Sequence, residues 1–198
     1  MEPGLVTERL VLRRFTAADA GNLLALDGDP EVMRYLEPGV RTRAEIEAEV
    51  LPLFLGRYQR HPGFGRWAAD TRHGGHFVGW FALRPVRPGD AAIVDWPDAA
   101  PGGGVAEIGY RLRRGAWGHG YATEGARALV RRAFTELGVH EVVATTMAVN
   151  ARSRAVMERA GLRYARTVHL TWEEPLEGSE HGDVEYRLRR EEWVAQRR

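Results

Sequence analysis

The chain contains no cysteine and no lysine. Without thiols there are no disulfides, no thiolate metal sites and no acyl-cysteine intermediate. Without lysine there is no Schiff-base nucleophile. A Walker-type loop, Gly-x-x-x-x-Gly-Lys-Ser/Thr, is excluded for the same reason, because its ammonium group holds the terminal phosphates. All 28 basic residues are arginine, set against 27 acidic residues for a net charge of +1. That balance argues against nucleic acid or an anionic membrane as partner. No apolar run approaches the roughly eighteen residues of a membrane span, and no signal-peptide pattern opens the chain, so a cytoplasmic location is expected. At 198 residues, 44% hydrophobic and 28% charged, one globular domain is expected over 1–198.

Pattern places the elements in the order β, helices, β, β, β, α, β, α, β, β, with no internal repeat. A loosely alternating strand is expected over 9–15. Helix starts follow at Thr16 with Asp19, at Asp29-Pro30, and at Thr42 with Glu45. Pro52 is expected to kink or split the last of these helices. Strands over 66–70 and 77–84 flank a turn at His73-Gly74-Gly75. The segment 85–104, rich in proline, glycine and aspartate, reads as a long loop, more readily a solvated insertion than a lid. Strands over 105–113 and 142–147 enclose a helix with an apolar stripe of Ala122, Ala126, Leu129, Val130, Ala133 and Leu137, stopped by Gly138. Asn150 opens a short helix ending at Gly161, and two last strands, 162–171 and 183–189, surround the polar loop 173–182. The pattern supports a mixed α/β (α+β) architecture with antiparallel neighbours. Trp67, Trp80 and Trp172 are expected in the core or on the sheet surface rather than as acceptor-binding walls.

The densest signal is Trp117-Gly118-His119-Gly120-Tyr121-Ala122-Thr123-Glu124, a glycine-rich turn between a strand and a helix N-terminus. Unpaired backbone N–H groups and the positive end of a helix dipole make such a turn a seat for phosphate or diphosphate. A dinucleotide fingerprint fits it poorly. Thr123 occupies the third small position, and the strand after the helix runs into Ala148-Val149-Asn150 without a ribose-binding carboxylate.

Gly118-His119-Gly120-Tyr121-Ala122, then Asn150-Ala151-Arg152-Ser153, then Met157-Glu158-Arg159-Ala160-Gly161-Leu162, resemble the GNAT superfamily of acyl-CoA N-acyltransferases. Thr7-Glu8-Arg9-Leu10-Val11-Leu12-Arg13 and Glu107-Ile108-Gly109-Tyr110 resemble its RimJ/RimL-type branch, the N-terminal acetyltransferases of ribosomal proteins. The resemblance covers about 7–193. It implies a central, mostly antiparallel mixed sheet of about seven strands, splayed where acyl-CoA enters and flanked by helices. Acetyl-CoA is the implied co-substrate, without a metal. Its diphosphate is expected over Gly118, His119, Gly120, Tyr121 and Ala122. Its pantetheine arm is expected along the backbone of Tyr110, Arg111, Leu112 and Arg113, as an added strand. Gly115 stands where the family often has Gln or Arg, so that phosphate contact is lost or moves to Arg113 or Arg114.

Asn150 suits an N-cap, and the resemblance also implies contact with cofactor or acceptor. The resemblance makes Ser153 a cofactor contact and a candidate to protonate the departing thiolate, a modest task for a thiol of pKa roughly 8.5. Glu107, Glu173 and Glu174 are candidate bases for the attacking amine, each also readable as a solvated or paired carboxylate. Glu124 is a weaker candidate, because a first-turn glutamate suits the dipole. With no cysteine or lysine, direct attack in a ternary complex is expected. The first-choice acceptor is a protein N-terminal α-amine. A small-molecule amine such as an aminoglycoside remains open, drawing on Asp90, Asp95 and Asp98, as does a non-catalytic acyl-CoA-binding module. A homodimer is possible on family grounds; no surface in the sequence marks an interface.

Overall fold

The strands join in one eight-stranded sheet, largely buried in its central strands and exposed along its last, at the edge. In a computed structural model that describes residues 4–36, 42–86, 104–169 and 175–197, the strands are β1 (Leu5–Val6), β2 (Leu10–Arg14), β3 (Gly65–Thr71), β4 (Phe77–Val86), β5 (Val105–Leu112), β6 (Glu141–Met147), β7 (Arg163–Val168) and β8 (Asp183–Arg189). The helices are α1 (Ala20–Asp27), α2 (Pro30–Met33), α3 (Arg43–Glu45), α4 (Leu51–Arg60), α5 (Tyr121–Glu136), α6 (Ala151–Arg159) and α7 (Arg190–Ala195). The sheet order is β1-β2-β3-β4-β5-β6-β8-β7. All neighbours are antiparallel except β5 and β6, whose parallel pairing requires the crossover that α5 supplies.

The sheet has eight strands rather than about seven. The additional one, β1, is two residues long and too short to show a period. Helix α7 also escapes the pattern, because it follows β8 without any turn signal between them. The capping pairs predicted from sequence form: Asp19 accepts from the Thr16 N–H at 2.9 Å, and Glu45 accepts from the Thr42 N–H at 2.6 Å. Pro52 does split its helix. A π-helical stretch, Ile46–Val50, separates α3 from α4, widening the coil where the ring would crowd the preceding turn. Most of the expected 85–104 loop, and with it Asp90, Asp95 and Asp98, lies outside the described residues, as do Trp172, Glu173 and Glu174.

Strand alternation sorts the core into two. One face of the sheet carries Leu10, Leu12, Trp67, Phe81, Ile108, Leu112 and Tyr186 against Ala126, Leu129, Val130 and Phe134 of α5 and Met157 of α6. The other face packs Ala68 and Phe77 against Leu23 and Leu26 of α1, Ile46 and Val50, and Leu51 and Phe54 of α4. Further along that second face the side chains are charged: Arg66, Arg84, Glu107 and Arg111, then Glu185 and Arg187.

The β1–β2 edge is tied to the start of α5. Glu124 Oε1 accepts from the Arg9 backbone N–H at 2.8 Å and from the Thr7 hydroxyl, while Oε2 accepts from Arg9 Nε at 2.7 Å. Burial works to raise the Glu124 pKa, but the bonds from Thr7 and Arg9 outweigh it and hold the carboxyl below its ordinary range. Its contribution to stability is therefore present above the unfolded carboxylate pKa of about 4.3 and lost as pH falls through the lowered value. Replacing Glu124 with alanine should cost about 1–2 kcal/mol, a Tm fall of about 3–6 °C at neutral pH, measured by thermal melting. The difference from the parent should narrow below about pH 4.

Candidate active site

Parallel pairing between β5 and β6 spans only Val105–Glu141, Ala106–Val142 and Glu107–Val143. Beyond Glu107 the strands part. The β5 backbone from Ile108 to Leu112 has β4 on one side and, among the described residues, no strand partner on the other, while β6 continues paired to β8. An extended chain entering this gap finds free N–H and C=O groups on the β5 edge. The side chain of Arg111 leaves toward Asp27, which accepts from its guanidinium at 2.5 Å, and its carbonyl lies against Gly79 of β4, so the backbone groups turned to the gap are those of Tyr110 and Leu112.

The glycine turn closes one end of the gap. Gly118 (φ 77°) and Gly120 (φ 80°) are left-handed, a conformation that a Cβ disfavours. A Cβ at Gly118 would meet no atom within 4 Å, so the space above the turn is open. No backbone acceptor among the described residues takes the N–H groups of Gly118, His119 or Gly120, and Tyr121 and Ala122 lie in the first turn of α5, where N–H groups lack intrahelical partners. These donors together fit a diphosphate.

His119 is exposed, stacks on Tyr121 and lies with Nδ1 2.8 Å from the Trp117 carbonyl. Its own carbonyl accepts from Arg9 at 2.9 Å. Arg9 also lies over the Tyr121 ring, 4.9 Å from its centroid, and its other terminal nitrogen would sit 3.4 Å from a Cβ at Gly120. The expected contact from Arg113 or Arg114 thus has a rival brought in from the far edge of the sheet. Arg114 pairs with Asp29 at 3.4 Å, and Arg113 is exposed at the end of β5. Arg152 of α6 lies over Trp117, 4.9 Å from the ring centroid, and Trp117 donates to the Leu112 carbonyl at 2.8 Å. Arg9 and Arg152 were legible only as members of motifs, not as neighbours of the turn.

Within the gap, Tyr110 of β5 reaches across to α6. Its hydroxyl is 3.1 Å from Ser153 Oγ and donates to the Ser153 carbonyl at 3.0 Å, which leaves it free to accept from Oγ. Burial pushes the phenol up to about 12, against the hydrogen bond from Ser153, so it stays protonated. Asn150 fulfils the N-cap role: its Oδ1 accepts from the Ser153 N–H at 3.1 Å, and its Nδ2 donates to Thr146 at 3.1 Å. The amide is held by the protein at both ends, which favours positioning of Ser153 over direct contact with a ligand.

Glu107, at the last paired position before the gap opens, projects to the opposite face from Tyr110. It is buried and accepts from Arg84 Nε. Burial pushes its carboxyl up to about 7, against the opposing charges of Arg84 and Arg66, with Glu185 adding to the rise. Among the described residues no cluster of three or more His, Asp or Glu could hold a metal ion. A hollow of about 810 Å³ lined by His140, Glu141, Arg189 and Val194 lies at the other end of β6 and holds none of these groups. No helix of the described residues is long and apolar enough to cross a membrane.

Residues 9–163 match the family described as Acetyltransferase (GNAT) domain. Among curated proteins, the FsC-acetyl coenzyme A-N(2)-transacetylase of Aspergillus fumigatus is 39% identical over 194 residues, covering 98% of this chain and 79% of its own length. Among solved structures, RimL, a ribosomal-protein α-N-acetyltransferase in complex with coenzyme A, aligns with a TM-score of 0.74 at 18% identity, over 95% of this chain and 98% of that one. An aminoglycoside acetyltransferase, also in complex with coenzyme A, aligns with a TM-score of 0.69 at 19% identity, over 96% and 99%. Those two share this fold, and their names give different acceptors. With most of its length matched to one family and nearly all of it aligned to an N-transacetylase, the chain belongs to the GNAT acetyltransferases and is an N-acetyltransferase that uses acetyl-CoA.

Proposed function

We propose that the protein moves the acetyl group of acetyl-CoA to the primary amine of a small molecule by direct attack in a ternary complex, with Glu107 as general base. The observation that carries this is the buried carboxyl of Glu107 where β5 and β6 separate, which burial pushes up to about 7. A base poised near the working pH is the efficient one, and an α-amine of pKa about 7.7–8.0 needs little help to lose its proton. The C–N bond forms as the C–S bond breaks. Glu107 takes the proton lost by nitrogen, and Ser153, oriented by Tyr110 and Asn150, donates its hydroxyl proton to the departing sulfur and regains one from solvent. Base and acid thus stand on opposite faces of β5, so neither proton crosses the path of the other.

The turn at Gly118, His119, Gly120, Tyr121 and Ala122 holds the diphosphate, with Arg9 beside it. The backbone of Tyr110, Arg111, Leu112 and Arg113 takes the pantetheine arm. The Aspergillus relative, named for transfer to a nitrogen called N(2), supports a small-molecule acceptor. A protein N-terminal amine is the second reading, favoured by the RimJ/RimL-type motifs at Thr7 to Arg13 and Glu107 to Tyr110.

Thiol release from acetyl-CoA against a panel of small amines and peptides tests the activity; coenzyme A binding with no release for any amine sinks it. Gly120→Val should weaken coenzyme A binding by about tenfold or more, read by calorimetry, because a β-branched residue resists the left-handed turn and crowds Arg9. Unchanged affinity would remove the diphosphate from that turn. At saturating acceptor, kcat should rise with pH through about 7, as Glu107 ionises, and Glu107→Gln should lose that limb and about 100-fold in kcat. The stability sign is opposite. The folded carboxyl holds its proton more tightly than an unfolded one, so its contribution is full below about pH 4.3 and is lost as pH climbs through about 7. Ser153→Ala should lower kcat only severalfold, since a thiolate is a tolerable leaving group near neutral pH; an unchanged kcat takes Ser153 out of the proton path.

A further inference from the structure

Beside Glu107 the charged face of the sheet carries one rung of small residues, Ala82 and Gly109. The register sets Arg66 opposite Ala82, Ala82 opposite Gly109, Trp80 opposite Arg111, and Arg84 opposite Glu107, so these side chains share one face. Ala82 and Gly109 have no reach; a Cβ at Gly109 would touch the Ala82 methyl at 3.8 Å and the Trp80 ring at 3.9 Å. Trp80 and Arg111 rise on one side, Arg84 and Glu107 on the other, and Arg66 stands at the β3 end. The remaining side opens onto the gap between β5 and β6.

The wall charges pair off, except one. Arg111 is held by Asp27, and Arg84 by Glu107. Arg66 makes no ion pair with any described residue. Its guanidinium lies between two rings, 4.8 Å from the Phe54 centroid and 5.6 Å from that of Trp80. Burial, together with the charges of Arg57, Arg84 and Arg111, pushes its pKa down to about 10, so it stays a cation in a crowd of cations. Such a group is stabilised by an incoming anion, and a planar guanidinium fork matches a carboxylate bidentately.

We infer that the acceptor is an amine that also carries a carboxylate, held by Arg66 while its nitrogen faces the β5–β6 gap. The inference rests on the proposed transfer at Glu107 and names its substrate class. The strands that carry Arg66 and Glu107, β3 and β5, are two spacings apart, about 10 Å, a span that a peptide of about three extended residues covers. A polycationic amine, by contrast, meets Arg66 as like charge.

A tripeptide with a free C-terminal carboxylate and the same tripeptide amidated make the matched pair. Thiol release should favour the acid by about tenfold or more in kcat/KM, the worth of one charge-assisted contact. In R66Q the acid-to-amide ratio should fall to about one, and R66K should restore part of it, with coenzyme A affinity as the control for folding. Equal rates for acid and amide in the parent protein, or a ratio that survives R66Q, overturn the inference. Calorimetric binding of the N-acetylated acid and amide to the coenzyme A-saturated protein reads the same preference without turnover. An absence of thiol release then counts against the transfer reading, while the binding ratio still decides the carboxylate.

Discussion

Everything at the site depends on one pairing that stops early. β5 and β6 share three register positions and then separate, although both strands continue. Parallel strands need a crossover, and α5 supplies it. The crossover carries its N-terminus, and the glycine turn before it, to the end of β5 beyond the parting. The free backbone edge, the position of the glycine turn and the Tyr110–Ser153 contact are thus products of one topological step. Glu107 sits at the apex because it is the last residue of β5 that still has a neighbour on β6.

Charge is divided between the faces of the sheet as sharply as hydrophobicity is. The face under α5 and α6 is apolar, while the opposite face, past the cover of α1 and α4, carries arginines and carboxylates at successive register positions. Burying these groups without partners would cost several kcal/mol each, and most are paired: Arg84 with Glu107, Arg111 with Asp27, Arg166 and Arg187 with Glu185. Pairing alone does not leave Glu107 acidic. Its desolvation outweighs its arginine, which is why this carboxyl is pushed up to about 7 despite its salt bridge.

Much of this was legible in the sequence, where local chemistry dominates. The caps at Thr16, Asp29, Thr42 and Asn150, the α5 stripe and the glycine turn all follow from residues a few positions apart, and all formed as expected. What escaped was nonlocal or too short. β1 has two residues, and α7 starts without a turn. Arg9 reaches the turn at His119 only because the edge of the sheet folds back on α5. The alternation in β5 put Glu107, Gly109 and Arg111 on one face, but the opposing Trp80 and Arg66 required the register of two further strands. Glu173 and Glu174, the other candidate bases, lie outside the described residues, so the choice of Glu107 rests on its own surroundings.

The three-rung joint between β5 and β6 also makes the sheet two leaves with a common spine. A ligand lying in the gap and bonding to the β5 edge supplies rungs that the protein leaves out. Donor affinity and the cohesion of the two leaves then become linked, each strengthening the other by mass action. The amide protons of Tyr110 and Leu112, which face the gap, then report on such a ligand as much as on folding.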